Sequence, residues 1–348
     1  MHRNTLRGLV FWLALLAAVP VAARTVVDSA GREVQLPDEV GTVFASGPPA
    51  SILVYVLRPE VLAGWPRAIR PEEAPYIAAP YRELPASGRL TGRGGDANLE
   101  RVLEIAPDLI IDFGSVRDTY IDLADRVQRQ TGIPYLLIDG RFEATPAALR
   151  LAGEALGVPE RGELLARDVE QTFERIDAIL AATPEQDRPR VYMARTPDGL
   201  ETGLKGSINT EIIERAGGRN VADPGDGRRG LVRASLEQVI FSDPEVIVTW
   251  DRNFYAQVFH NPMWAPVDAV RNGRVYLSPT APFGWIDRPP SLNRLIGLKW
   301  LAGLFYPEQW RGTLREEVRA FYSRYYHVEP TEQDLDRLLQ WSEGKPPQ

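Results

Sequence analysis

Residues 25–36 alternate apolar and polar positions around Asp28-Ser29-Ala30-Gly31, the pattern of a small hairpin. From there the chain switches to short apolar runs separated by segments of helical period. Residues 42–45, 61–65, 109–113 and 135–139 read as buried strands, and 50–57, 99–105 and 121–131 as helices. Strands that alternate with helices predict a mainly parallel sheet. Residues 145–156 and about 160–182 then lose the strand rhythm, and Leu164, Leu165, Val169, Phe173, Ile176 and Ile179/Leu180 fall on one helical stripe. A helix of ~22 residues is ~33 Å long, about the height of a lobe. After residues 183–189 the rhythm restarts with strands 190–194 and 246–250 and helices 209–216 and 235–241. Residues 291–341 read as helical throughout, and their aromatic side chains are expected to pack against the second lobe.

The chain also repeats itself. Residues 99–111 align without gaps on residues 236–248, matching Leu99-Glu100 with Leu236-Glu237, Val102 with Val239, and Pro107-Asp108 with Pro244-Glu245 ahead of two aliphatic runs. Each copy is a helix, a proline that stops it and a buried strand. The repeat predicts two lobes of one architecture, with an N-terminal α/β lobe at 24–144, connecting helices at 145–183, and a C-terminal α/β lobe with a helical extension at 184–348.

Residues 1–23 are set apart. Arg3 and Arg7 precede an apolar run from Leu9 to Val19, then Pro20 and the small-residue stretch Val21-Ala22-Ala23, the pattern of a signal peptide cleaved after Ala23. An uncleaved anchor helix is the alternative, but the run is short for a bilayer span. The expected location is the periplasm. The net charge of −7, which becomes −9 when Arg3 and Arg7 leave with the leader, argues against a nucleic-acid-binding surface. The absence of cysteine excludes a disulfide framework, thiolate metal ligation and a cysteine nucleophile. His260 and His327 are the only histidines after the leader, too few for a multi-histidine metal site, and no resident cofactor is expected.

The paired 99–111 and 236–248 segments, the long connecting helix and Ala269-Val270-Arg271-Asn272-Gly273-Arg274-Val275-Tyr276 together resemble the helical-backbone periplasmic binding proteins of ABC importers for ferric siderophores, haem and cobalamin, with molybdate- and tungstate-binding relatives. The resemblance implies two Rossmann-like lobes with mainly parallel sheets, joined by one long rigid helix, and a ligand cleft between them that closes only slightly. It also implies a monomer that works with permease and ATPase subunits in the inner membrane, and it places the permease-docking glutamates of the family on Glu100 and Glu237. First-turn glutamates are favoured by the helix dipole in any case; that preference does not explain why both recur beside the same Leu and Val.

In such sheets ligands sit at the carboxyl ends of the strands, where helix N-termini present amides. The loops so placed include residues 46–51, 92–98, 114–117, 205–209, 228–233, 251–252 and 282–288. Arginine in these loops suits carboxylate or oxyanion recognition, because a planar fork pairs bidentately. The candidate ligand residues are Ser46, Pro48, Arg117, Ser207, Arg228, Arg229, Arg252, Phe283, Trp285 and Arg288. Trp285, in a proline-bounded loop, is the expected ligand-facing aromatic, and Arg288 either meets ligand or braces Asp287. Trp65, Tyr76, Tyr81, Trp250 and Trp264 also fall in or near loops. An aromatic wall with arginines suits an anionic iron chelate of the siderophore type; molybdate or tungstate, cobalamin or haem are the alternatives within the fold. No catalytic residue is assigned: an exported hydrolase is the competing class, and no Gly-x-Ser-x-Gly, His-Glu-x-x-His or phosphate-loop motif supports it.

Overall fold

The computed structural model describes residues 24–92, 99–340 and 342. The predicted leader and residues 93–98 of the predicted 92–98 loop lie outside these. The first lobe is built on three parallel strands in the order Val43–Ala45, Leu109–Gly114, Tyr135–Asp139, with Val43 opposite Leu109 and Ile110 opposite Tyr135. All but Gly114 are buried, as strands covered on both faces must be. The predicted hairpin forms from Arg24–Val27 and Glu33–Leu36, and its turn is tied to the sheet by the Ser29 amide donating to Leu137 O at 2.9 Å. The predicted strand at 61–65 does not form. Leu62 and Trp65 make isolated bridges to Val43 and Ala86 instead, following a one-turn helix Pro59–Val61 that Pro59 opens.

The second lobe repeats the plan with four parallel strands in the order Val275–Leu277, Val246–Thr249, Arg190–Ala194, Arg219–Asn220. Between the lobes run the helices Thr145–Ala155 and Pro159–Ala181. Proline opens the second of these, where its missing N–H costs nothing. The two pack so closely that a side-chain carbon on Gly162 would sit 2.6 Å from Leu149 O, so no other residue fits. Leu165, Val169, Phe173, Ile176 and Ile179 face the core as predicted, whereas Leu164 is turned to solvent, on the far side of the stripe.

The lobes meet at a buried polar joint. Arg294 is 1% exposed and donates to Gly140 O of the first lobe at 2.9 Å and to Ile208 O and Glu211 Oε1 of the second, each at 2.8 Å. The same Glu211 oxygen accepts from the Phe142 amide at 2.8 Å, and Arg215 pairs with Glu143 and with Asp177 of the long helix.

The C-terminal helices Arg294–Phe305, Leu314–Tyr326 and Glu332–Leu339 correct the expectation that they pack on the second lobe alone. Trp285 Nε1 does donate to Tyr322 Oη at 3.2 Å, but Tyr55 Oη of the first lobe donates to Tyr326 O and Tyr76 Oη to Asp334 O at 2.9 Å. Phe283, Tyr326, Tyr55 and Trp65 form a chain of ring contacts across both lobes, within a hydrophobic cluster that draws on both, while each lobe keeps a further cluster of its own. Among the described residues no helix is long and apolar enough to cross a membrane.

Candidate functional site

A cleft of about 1170 Å³ opens between the lobes. One wall is the start of the helix Pro48–Leu57 and the irregular stretch 65–76. The other is the helix Arg252–Val258 with the loop 277–289, and Arg337 and Leu338 of the last helix, with Gln340 just beyond it, border the cleft. Trp65, Tyr76 and Phe283 border it while remaining buried, and Trp250 is half-buried.

The helix N-termini at the cleft carry fewer free amides than the sequence led us to expect. Pro48 and Pro49 begin the first helix and have no N–H to offer. Asp251 caps the second, its carboxylate accepting from the amides of Asn253 and Phe254 at 2.9 and 3.0 Å, which fixes Asp251 as a structural acid.

The arginines divide into two sets. On the first-lobe wall Glu73, 1% exposed, is clamped by Arg67 and Arg70 with N–O distances of 2.6 to 3.0 Å. Burial alone would raise the Glu73 carboxyl, but these hydrogen bonds outweigh it and hold it below the usual carboxylate range. On the opposite wall Arg288 lies with its guanidinium 4.1 Å from the centre of the Trp250 ring, a cation–π contact. Asp287, which Arg288 was a candidate to brace, accepts from the Arg288 backbone amide at 2.9 Å, while its side-chain partners are Arg195 Nη2 at 2.7 Å and Asn209 Nδ2 at 3.0 Å. The Arg288 backbone has φ +70°, a left-handed conformation that side chains larger than glycine rarely adopt. Arg252 and Arg288 are exposed, and no described carboxylate neutralises either guanidinium.

Of the sequence-predicted ligand residues, the cleft brings together Pro48, Arg252, Phe283 and Arg288. The others lie elsewhere, for identifiable reasons. Trp285 is fully buried, because hydrogen bonds from the Trp285 amide to Pro279 O and from the Gly284 amide to Arg288 O turn the loop inward and set its ring edge-on to Trp300. Ser46 is buried in a network with Thr91 Oγ1 at 3.1 Å and, through Thr91, with Asp112. Ser207 is 3% exposed, in the turn that leads to Asn209. Arg117, Arg228 and Arg229 sit on outward loops; Arg117 bonds Ser115 Oγ and Arg228 pairs with Asp226. The sequence reading missed Arg67, Arg70 and Glu73, although two arginines and two glutamates crowded between Pro66 and Pro75 were a signal, and it missed Arg337. Trp65, Tyr76 and Trp250 were flagged only as loop aromatics. Glu100 and Glu237 are exposed in the first turns of Leu99–Ile105 and Leu236–Ser242. Among the described residues no group of three or more histidine or acidic side chains is placed to hold a metal ion.

A model of the periplasmic binding protein family matches residues 60–282. The chain is 24% identical to the molybdate-binding protein MolA of Haemophilus influenzae over 347 aligned residues, covering 91% of this chain and 94% of that one. It is 29% identical to a cobalamin-binding protein of Halobacterium salinarum over 209 residues, 58% of this chain and 52% of the relative. The structure of an ABC transporter solute binding protein from Sulfurospirillum deleyianum superimposes with a TM-score of 0.82 at 30% identity, covering 91% of this chain and 99% of that one. MolA bound to molybdate superimposes with a TM-score of 0.71 at 22% identity, covering 88% and 99%. With two parallel-sheet lobes and a cleft between them, the chain belongs to the periplasmic binding protein family, the substrate-binding components of ABC transporters.

Proposed function

We propose that the protein is exported to the periplasm through a cleaved leader, captures an anionic metal chelate of the ferric-siderophore type as a monomer, and delivers it to an inner-membrane permease and ATPase, with Glu100 and Glu237 as the docking acids. The observation that carries the ligand class is the composition of the cleft. Two arginines without a described carboxylate partner stand beside the half-buried ring of Trp250, while the amides that would cage a small oxyanion are missing at Pro48 and Pro49 or occupied by Asp251. A volume near 1170 Å³ suits a drug-sized organic ligand. The guanidiniums of Arg252 and Arg288 would meet its anionic groups and the rings its apolar flanks.

Molybdate or tungstate is the second reading, favoured by the likeness to molybdate-binding MolA along nearly the whole chain. A thermal-shift screen of residues 24–348 against ferric hydroxamate, catecholate and citrate complexes, haemin, cobalamin, molybdate and tungstate separates the two, since a ligand that binds only the native state raises the melting temperature with its concentration. Stabilisation by a ferric chelate alone is the expected result; stabilisation by molybdate or tungstate alone would move the protein to the second reading. For docking, Glu100→Ala with Glu237→Ala should leave ligand affinity intact and abolish stimulation of the permease ATPase, and undiminished stimulation would remove the docking assignment.

A further inference from the structure

Among the described residues five large apolar side chains stand more than half exposed: Val27, Leu103, Leu164, Phe241 and Met263. Two of the five fall on the pair of helices that the internal repeat relates. Phe241, 93% exposed, lies one turn beyond Glu237 on the same face of Leu236–Ser242, and Leu103, 52% exposed, lies one turn beyond Glu100 on Leu99–Ile105. A phenyl ring standing free in water gains nothing from the fold. The helix that carries it is rigid at its start, because Ser235 Oγ accepts from the Gln238 amide at 3.2 Å and Gln238 Oε1 from the Ser235 amide at 2.9 Å. Each lobe carries an acid with an exposed apolar neighbour, but the repeat does not align the two, since Leu103 matches the half-buried Ile240. At the position matching Phe241 the first lobe has Glu104.

We propose that Phe241 is the apolar anchor of the permease-docking surface, with Leu103 as its smaller counterpart, each beside a glutamate that pairs with a cation of the permease. This rests on the docking reading of Glu100 and Glu237. An exposed ion pair contributes mainly to encounter rate and weakens with salt, whereas a buried aromatic anchor holds the complex and does not. The unequal anchors make the two lobes dock differently, so the acids steer and Phe241 fixes which lobe sits where.

The test has two parts. A benzophenone amino acid is placed at position 237 or 241 of the full exported chain in living cells, and photocrosslinked adducts are identified by mass spectrometry. F241S, F241L and E237Q proteins are then titrated, without added ligand, onto proteoliposomes of the permease and ATPase so identified, at low and high salt. The expected result is a permease adduct from both positions, binding of F241S weakened by about tenfold or more at either salt, binding close to wild type for F241L, and a loss for E237Q that shrinks at high salt. F241S should melt with the wild type, since its ring supports no packing. A permease adduct from 237 with none from 241, or unchanged binding of F241S, overturns the anchor and leaves the glutamate reading standing. No permease adduct from either position overturns both.

Discussion

Arg288 and Arg294 stand six residues apart and each rests its guanidinium on an aromatic ring, at 4.1 Å from Trp250 and 4.8 Å from Phe142. Around Arg294 the protein supplies Gly140 O, Ile208 O and Glu211, and water is excluded. Around the Arg288 guanidinium the described residues supply the Trp250 ring and no carboxylate, and the group faces an open cleft. One pairing of chemistry thus serves as a structural joint where its hydrogen-bond capacity is filled and, in the function proposed above, as a recognition element where it is not. The difference lies in saturation, and residue type alone does not reveal it.

The strongest way to break this contrast is Arg294→Ala. Removing one partner of a buried ion pair leaves Glu211 uncompensated and costs about 3–5 kcal/mol, a fall on the order of 10 °C in melting temperature for a chain of this size. Calorimetry that found no loss would remove the joint from the stabilising features of the fold. Next is Glu214, which lines a smaller pocket beside the joint with Glu143, Glu211 and Arg215. Burial pushes its carboxyl up to about 7. The fold favours its protonated form, so its contribution is intact below the unfolded-state value near 4.5 and is lost as pH rises through about 7. Glu214→Gln should match the wild type at pH 4 and exceed it at pH 8 by up to about 3 kcal/mol; equal melting curves at both pH values would contradict the assignment. The smallest effect on the fold, and the one that sharpens the comparison most, is Arg288→Ala. Affinity for the ligand found in the thermal screen should fall about 10- to 100-fold by isothermal calorimetry, with melting of the ligand-free protein nearly unchanged. Arg288→Lys should lie between, because it keeps the charge without the flat stacking surface. An Arg288→Ala protein as unstable as Arg294→Ala would show that both arginines are structural.

The parallel sheets and the long helix were legible because burial enforces a period: every residue of 109–113 and 135–139 had to be apolar or paired, and 165–179 had to present one face. The cleft was legible only in part. Its first-lobe wall, 65–76, has no regular period, so nothing in the spacing showed that Arg67 and Arg70 converge on Glu73. Within the loop 282–288, which of Phe283 and Trp285 borders the cleft depended on a turn closed by Pro279 O, a contact no local pattern encodes. Ser46 was correctly placed at a strand end, but its hydroxyl looks inward because Thr91, 45 residues on, supplies a partner. The C-terminal helices were visible as helices, while their attachment to the first lobe depends on Tyr55 and Tyr76, more than 250 residues away.

That attachment governs the order of assembly. Tyr326 and Asp334 accept the hydrogen bonds of Tyr55 and Tyr76 across separations of 271 and 258 residues. The first lobe, although made first, cannot complete its core until the last helices have been synthesised. Contacts of such span slow folding, since loop closure precedes any gain from packing. A ribosome-bound or partly translocated chain thus has no finished lobe to lock it in place. A chain cut before residue 314 would lose structure at its opposite end, in the lobe that still has every one of its own strands.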